Sequence, residues 1–228
     1  MVNTKHAFWI ALVLTIAVFV FGMLLGVFFE QLRLSKIDGL FYRSEISLMD
    51  SLTYSNLADS SFVNCTHLIN GNLRLADNVY QEAQLLEDYG SKTNFAEEDF
   101  FIAHQRYDLL RTLLWIQSSK IKQRCSDNPQ HVIYFYNYSL DEISQRAKQA
   151  VWSKLLTDLK EHNGADILLI PIAVDTNVTA LKPLLQQYNV NKFPSVLIDE
   201  RVLINSLQDV GVLEQALIVN SSNKTTPR

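Results

Sequence analysis

The stretch Lys192-Phe193-Pro194-Ser195-Val196-Leu197-Ile198 decides how the C-terminal part of the chain is interpreted. Its last four residues are small or apolar, which predicts a short buried strand. Pro194 has no N–H to donate to a sheet, so it belongs at the head of this strand, where a cis peptide bond is one of its accessible geometries. An apolar run at 167–174 and a helical segment ending at Asn189 precede it, so the order predicts strand, helix, strand.

The neighbouring segments extend this pattern in both directions. Residues 131–136 are rich in β-branched and aromatic residues and predict a buried strand. A long helix follows, for which Ser139 and Glu142 form a capping-box pattern. Its predicted inward face comprises Ile143, Ala147, Val151, Leu155 and Leu159. Beyond the stretch, two short apolar runs at 196–199 and 202–205 predict a hairpin, and a last helix is predicted from Ser206. The order βαβαββα, with right-handed crossovers, predicts an α/β fold with a mixed four-stranded sheet flanked by helices.

This C-terminal part resembles the thioredoxin-like fold superfamily over residues 130–217. The residues that carry the resemblance are Val174-Asp175, then a helix ending in Gln186-Gln187-Tyr188-Asn189-Val190, and, two residues later, Phe193-Pro194-Ser195 and an apolar strand. The resemblance places the family's cis-proline on Pro194.

The residues that would carry thioredoxin chemistry are absent. In that family a CxxC dithiol follows the first strand, and the resemblance puts it at Leu140-Asp141-Glu142-Ile143. No cysteine occurs after Cys125, so dithiol exchange there is excluded. Ser139 has no histidine near it in sequence to act as a base and is interpreted as a helix cap. We therefore expect a redox-inactive domain that is not an enzyme.

The resemblance still implies a binding surface. In the family, the backbone just before the cis-proline pairs with an extended segment of a bound partner, a mode that requires only main-chain hydrogen bonds and a side-chain pocket. Carried over to this sequence, the peptide-binding groove comprises Phe193, Pro194, Tyr138, Ser139, Leu140 and Asp141. Tyr136 is a further aromatic candidate for its lining.

The N-terminal part predicts a membrane anchor and a stalk. Phe8–Phe29 is an uncharged apolar run of 22 residues, and at about 1.5 Å per residue a helix of that length spans a bilayer core of roughly 30 Å. It is longer than a signal-peptide core and has no good cleavage site, so we expect a retained single-pass anchor. Between Glu30 and Leu57 apolar residues, Leu48 and Leu52 among them, recur near helical spacing, which predicts an amphipathic stalk.

Two signals conflict on the orientation of the anchor. Arg33, Lys36 and Arg43 follow the span, whereas only Lys5 precedes it, which favours a cytoplasmic C-terminal part. The two cysteines and five glycosylation sequons, at Asn64, Asn137, Asn177, Asn220 and Asn223, favour the opposite side. Because long domains translocate largely regardless of flanking charge, we expect the bulk of the chain to be extracytoplasmic.

Two helical stripes predict an antiparallel hairpin. The first contains Ile69, Leu73, Ala76, Tyr80 and Ala83, and the second runs from Phe100 to Ile121, with a turn predicted near 90–94. The midpoint between Cys65 and Cys125 is residue 95, so the two cysteines are expected to meet at the open end of the hairpin. We interpret them as a disulfide; the alternative is two buried free thiols.

The predicted organisation is a flank at 1–7, a transmembrane helix at 8–29, a stalk at 30–60, a hairpin at 61–126, a thioredoxin-like domain at 130–219 and a disordered tail at 220–228. The net charge of −4 has no block of one sign, so no nucleic-acid partner is expected. The five histidines have no ligand spacing and no phosphate-binding glycine loop occurs, so we expect no metal and no cofactor.

Three functions remain open from the sequence. The first is a membrane-anchored protein- or peptide-binding or scaffolding module with an unidentified protein partner. The second is a structural subunit of a membrane complex that acts through its helical part, for which a homodimer through anchor and stalk is one arrangement. The third is a thiol oxidoreductase that uses Cys65 and Cys125.

Overall fold

The computed structural model describes residues 4–60, 63–92, 97–126, 128–140 and 142–207, together with 213, 215 and 217. The chain divides into two compact units, Met1–Arg43 and Ser44–Arg228. The helical segments after Ser44 and the β-sheet therefore belong to the same unit. Asp141 and the predicted tail at 220–228 lie outside the described residues.

Five α-helices and four strands have defined bounds within these residues. The helices are α1 (Thr4–Asp59), α2 (Cys65–Lys92), α3 (Glu97–Arg124), α4 (Ile143–Asn163) and α5 (Leu181–Gln187). The strands are β1 (Gln130–Tyr136), β2 (Ile167–Ala173), β3 (Ser195–Ile198) and β4 (Val202–Ile204). Residues 213, 215 and 217 are also helical, and they lie within the predicted last helix.

The first unit contains the apolar run that the sequence predicts. Phe8–Phe29 is helical, has a mean hydropathy of 2.8 and is long and apolar enough to cross a membrane. Its large apolar side chains are all solvent-exposed in the isolated chain, Phe19 at 70% and Leu12 at 39%. A helix that is apolar all round suits a lipid environment better than water.

In the second unit, α2 and α3 pack side by side in opposite directions. Asn72 donates a hydrogen bond of 2.7 Å to Ser118 and accepts one of 2.9 Å from Gln117. One end of this pair is closed by a disulfide between Cys65 and Cys125, which are 60 positions apart. The interpretation of the two cysteines as a disulfide is thus supported, and no free thiol remains in the chain.

The buried face of α2 is displaced by one position from the predicted stripe over most of the helix. Tyr80, predicted to lie in the seam, is 55% exposed. The buried positions of α2 are Leu68, Asn72, Leu75, Val79, Ala83 and Leu86. The displacement has a physical reason: the buried seam contains Asn72, whose amide is satisfied by Ser118 and Gln117, whereas a purely apolar pattern passes it over.

The end of α1 packs on this pair through small polar residues. Within Ser44–Asp59 the buried residues are Ser44, Ser51, Ser55 and Ala58, and Ser47 is half-buried. Ser47 donates to Glu82, Ser51 to Gln117, and Lys120 bridges to Asp59 at 2.8 Å.

The large apolar side chains of the same segment of α1 face solvent. Ile46 is 68% exposed, Met49 56% and Leu52 44%. Of the two apolar positions named for the predicted stalk, Leu52 therefore does not pack on the protein's own helices, whereas Leu48 is half-buried. In this segment three serines are therefore buried while three large apolar side chains are exposed.

The sheet is mixed and has the order β2-β1-β3-β4, in which β2 and β4 are the edge strands. β1 pairs parallel to β2 and antiparallel to β3, and β3 pairs antiparallel to β4. The prediction of an α/β fold with a four-stranded mixed sheet after an apolar N-terminal helix is confirmed.

Both faces of the sheet are covered. On one face Val132 and Tyr134 of β1 pack with Trp152 and Leu156 of α4 and with Leu213. On the other face, since side chains alternate along a strand, Phe135 contacts Trp115 of α3 with ring centroids 5.7 Å apart. The helix α3 thus contacts α1, α2 and the sheet.

The face of α4 that packs on the sheet was also misassigned from the sequence. Ile143 is 81% exposed and Val151 is 52% exposed, although both were predicted to face inward. Trp152 and Leu156 are buried in their place. The size of Trp152 explains why α4 turns this side of the helix toward the sheet, because burying Trp152 removes more apolar surface from water than burying Val151.

A buried ionic cluster ties the β3–β4 turn to α3. One carboxylate oxygen of Glu200 accepts from Trp115 at 2.8 Å, from Ser119 at 3.1 Å and lies 2.7 Å from His131 Nδ1. Burial raises the pKa of Glu200, but hydrogen bonding and the charges of His131 and Lys122 outweigh it and hold this pKa at about 2.

The turn that carries Glu200 has an unusual backbone. Asp199 and Glu200 both adopt the left-handed conformation, with φ of 49° and 56°. Such values cost free energy in residues other than glycine, and the contacts of the two carboxylates, including that of Asp199 with the His131 N–H at 2.8 Å, offset the cost.

Candidate binding site

The two segments of the predicted groove meet at one end of the sheet, next to the end of β2. Phe135 pairs with Ser195 in antiparallel register, so Pro194 is next to Tyr136 at the carboxyl end of β1. Tyr136 also pairs with Ala173, the last residue of β2. The peptide bond between Phe193 and Pro194 is cis. The start of β3 therefore lies beside the point at which β1 continues into the loop 137–142.

This loop is fixed from two sides. The backbone N–H groups of Tyr138 and Ser139 donate to the carboxylate of Asp175, at 2.7 and 2.9 Å. The side-chain amide of Gln149 forms two hydrogen bonds with the backbone of Asn137, at 2.8 and 3.0 Å. Hydrogen bonds to a carboxylate are stronger than those between neutral groups, so the loop is held in one conformation before any partner binds.

The residues of the loop differ from their predicted roles in one respect. Ser139 is exposed and does not cap α4, whose N-cap residue is Glu142 without a side-chain cap hydrogen bond. The interpretation of Ser139 as a helix cap is therefore wrong, because α4 begins only at Ile143, four residues after Ser139. Leu140 is half-buried, and Asp141 lies outside the described residues.

The aromatic side chains at the end of β1 and in the loop pack partly against the interior of the domain. Tyr138 packs against His104 and Phe101 of α3, with ring centroids 4.5 and 5.9 Å apart, so one side of its ring is covered. Tyr136 stacks on Tyr134 at 5.5 Å. Burial and the charge of Arg111 lower the pKa of His104 to about 4. The imidazole beside the loop is therefore neutral near pH 7.

Around the proline the main chain remains available. Phe193 is half-buried, and among the described residues no hydrogen bond engages its N–H or C=O. Pro194 is buried, and the Ser195 hydroxyl is buried without a hydrogen-bond partner in the described part of the chain. Buried polar groups are ordinarily satisfied, so this end of β3 has unused hydrogen-bonding capacity.

A buried carboxylate supports the end of β2 beneath the loop. Asp108 of α3 accepts from the backbone N–H of Ala173 at 3.0 Å and from the Thr176 hydroxyl at 2.8 Å, and Arg111 lies at 3.4 Å. Burial raises the pKa of Asp108 against the opposing charge of Arg111. Its contacts position the segment that carries Asp175.

The supporting residues on α3 form a sequence pattern of their own, which the predicted apolar stripes do not include. His104, Asp108, Arg111 and Trp115 recur at steps of four and three on α3, beside the apolar stripe that faces α2. This second stripe faces the sheet, since Asp108 bonds to Ala173 and Trp115 contacts Phe135.

The groups at this end of the sheet can form hydrogen bonds and apolar contacts. Both cysteines are in the disulfide between α2 and the end of α3, so no thiol lies in the loop or beside Pro194. Within the residues that the structure describes, no cluster of His, Cys, Asp and Glu has the composition of a metal site. The available groups are fixed main-chain amides, an unpaired main-chain segment and apolar or aromatic side chains.

Comparison with known proteins adds no relative. No protein-family model matches the chain, and neither curated proteins nor solved structures give a significant match.

Proposed function

We propose that this chain is a single-pass membrane protein whose redox-inactive, thioredoxin-like C-terminal domain binds an extended polypeptide segment beside Pro194, outside the cytoplasm. One observation carries the proposal: the main-chain N–H and C=O of Phe193 are unpaired among the described residues, immediately before a cis-proline that heads a strand. An extended chain that pairs with Phe193 would satisfy these groups and add to the sheet end.

The sheet order supports the fold assignment within the proposal. A β2-β1-β3-β4 order with a parallel pair and two antiparallel pairs is the arrangement that the resemblance implies for residues 130–217. The long helix α4 follows β1, as the family's helix follows its first strand.

Exposed apolar residues next to the loop support the capture of apolar side chains. Ile143, Ala147 and Val151 follow the loop at steps of four on the solvent side of α4. Exposed apolar surface of this kind is unfavourable in water and is typical of interaction sites. The segment bound would accordingly contain apolar residues.

The disulfide supports both the location and the lack of redox activity. Disulfides persist in oxidising compartments outside the cytoplasm. Cys125 is only 3% exposed, which opposes attack on its sulfur by a thiol, whereas Cys65 is half-buried.

A binding assay with an alkylated, unfolded polypeptide tests the proposal. The full chain in detergent micelles is titrated against a fluorescently labelled protein that has been reduced and alkylated, so that thiol exchange cannot contribute. We expect saturable binding, and at least a tenfold weaker affinity for Phe193→Asp, a loss of about 1.4 kcal/mol. Ile46→Asp, on exposed α1 surface, is the matched control and should bind normally. Equal binding by Phe193→Asp and wild type would contradict the proposal.

A second candidate function rests on a separate observation. The end of α1 exposes Ile46, Met49 and Leu52 while burying its serines, and an exposed apolar stripe on a helix is typical of a surface that packs in an assembly. A structural subunit of a membrane complex would use this stripe. In that case Ile46→Asp would release the co-purifying subunits from native membranes, whereas Phe193→Asp would retain them.

A further inference from the structure

Three of the five sequons fall on described residues and their surroundings differ. Asn177 lies in the segment between β2 and α5, is exposed and adopts the left-handed conformation with φ of 59°, which asparagine tolerates well. Its neighbours are anchored: Thr176 is fully buried with its hydroxyl bonded to Asp108, and Val178 is 7% exposed. The Asn177 side chain therefore projects into solvent from a loop that is fixed on both sides.

The other residue that the sequon requires is also accessible. Thr179, two positions after Asn177, is exposed. Among the described residues the Asn177 carboxamide makes no hydrogen bond, so attachment of a sugar to its Nδ2 breaks no contact within the domain.

The remaining two described sequons are built into the fold. The backbone of Asn137 is clamped by Gln149 on both N–H and C=O, and its side chain is half-buried at the base of the candidate groove. At Asn64 the side-chain Oδ1 accepts the His67 N–H at the start of α2, and the middle residue of the sequon is the disulfide-bonded Cys65. A bulky sugar at Asn137 would displace the loop.

We propose that Asn177 is an N-glycosylation site of this protein and that Asn137 is not modified; the inference rests on the extracytoplasmic location proposed above. The donor is a lipid-pyrophosphate-linked oligosaccharide. The Asn177 Nδ2 bonds to the anomeric carbon of the first sugar, the bond from that carbon to the pyrophosphate breaks, the lipid pyrophosphate leaves, and the amide loses one proton. No oxidation or reduction occurs.

Site mapping on the full chain tests this assignment. The chain is produced in cultured cells that carry out N-glycosylation, and its membrane fraction is treated in ¹⁸O-water with a glycosidase that converts each linked asparagine to aspartate. Mass spectrometry should find ¹⁸O-labelled aspartate at 177 and unlabelled asparagine at 137. Asn177→Gln and Thr179→Ala should each abolish the label at 177, and Asn137→Gln should leave it unchanged. Thr179→Ala keeps the left-handed asparagine and so separates modification from any effect on folding.

Protease protection of sealed vesicles, measured on the same membranes, separates the two proposals. A protected C-terminal part with label at 177 supports both. A protected C-terminal part without that label, or with the label at 137 instead, overturns the glycosylation assignment and leaves the location standing. A digested C-terminal part without label overturns the location and this inference together.

Discussion

Replacing Glu200 by glutamine tests how the β3–β4 turn is attached to α3. The carboxylate of Glu200 is 14% exposed, accepts from Trp115 and Ser119, and forms ion pairs with His131 and Lys122. Glutamine keeps the shape and one acceptor oxygen but removes the charge, so Lys122 retains only Asp199 as an ionic partner, whereas the neutral donors Trp115 and Ser119 still have an acceptor.

The expected loss follows from the pKa of Glu200. A folded-state pKa of about 2 in place of the ordinary 4.5 corresponds to about 3 kcal/mol, at about 1.4 kcal/mol for each tenfold change. Because the folded pKa lies below the unfolded one, this contribution is fully present above pH 4.5 and is lost as the pH falls from about 4.5 to about 2. The variant should therefore be about 3 kcal/mol less stable than wild type at pH 7 and nearly equal to it at pH 2.

Urea unfolding of the full chain in detergent micelles measures this difference, with the fluorescence of Trp115, which lies against Glu200, as the signal. Glu161→Gln, on the exposed side of α4, is the matched control and should behave as wild type at both pH values. A difference between wild type and Glu200→Gln at pH 7 below about 0.5 kcal/mol, the usual range for surface substitutions, would show that the Glu200 charge does not stabilise the turn. A difference that does not shrink as the pH falls would show the same.

Three further outcomes are expected. Asp175→Ala should remove the hydrogen-exchange protection of the two loop amides that donate to it, measured by NMR, and protection that persists would show that the carboxylate does not hold the loop. The pKa of His104 is about 4 in the folded protein, so between pH 6.5 and pH 4 the unfolded state binds the proton first and the thermal midpoint of wild type should fall. His104→Phe should make this fall smaller. His162→Gln, at an exposed position on α4, is the control and should leave the pH dependence of the midpoint unchanged. Replacing Cys65 and Cys125 by serine should cost about 4 kcal/mol for a loop closed over 60 positions, and a cost near zero in urea unfolding would contradict this estimate.

Local patterns in the sequence predict the elements of the sheet and their order. Each of the four strands is a short apolar run bounded by polar or turn residues, and right-handed crossovers leave few alternative arrangements. Local patterns did not predict which face of α2 and which face of α4 is buried. On α2 a satisfied Asn72 lies in the seam in place of an apolar residue, and on α4 the bulk of Trp152 determines the buried face.

The candidate site was predictable in position and not in detail. Pro194 and the loop after β1 meet because strand pairing brings them together, which the order of elements already implies. The groups that hold the loop are Asp175, Gln149 and Asp108, and each acts on backbone atoms distant in sequence. Contacts of this kind depend on three-dimensional packing, so no local spacing rule identifies them.

Site-specific photocrosslinking tests most directly whether a polypeptide binds beside Pro194. A photoreactive phenylalanine analogue replaces Phe193 in the full chain, or Glu161 on the exposed side of α4 as the control position, and each protein is irradiated with the labelled, alkylated polypeptide. We expect crosslinking from position 193 that unlabelled polypeptide competes away, and no crosslinking from position 161. Equal labelling from both positions, or none from position 193 at saturating polypeptide, would contradict it.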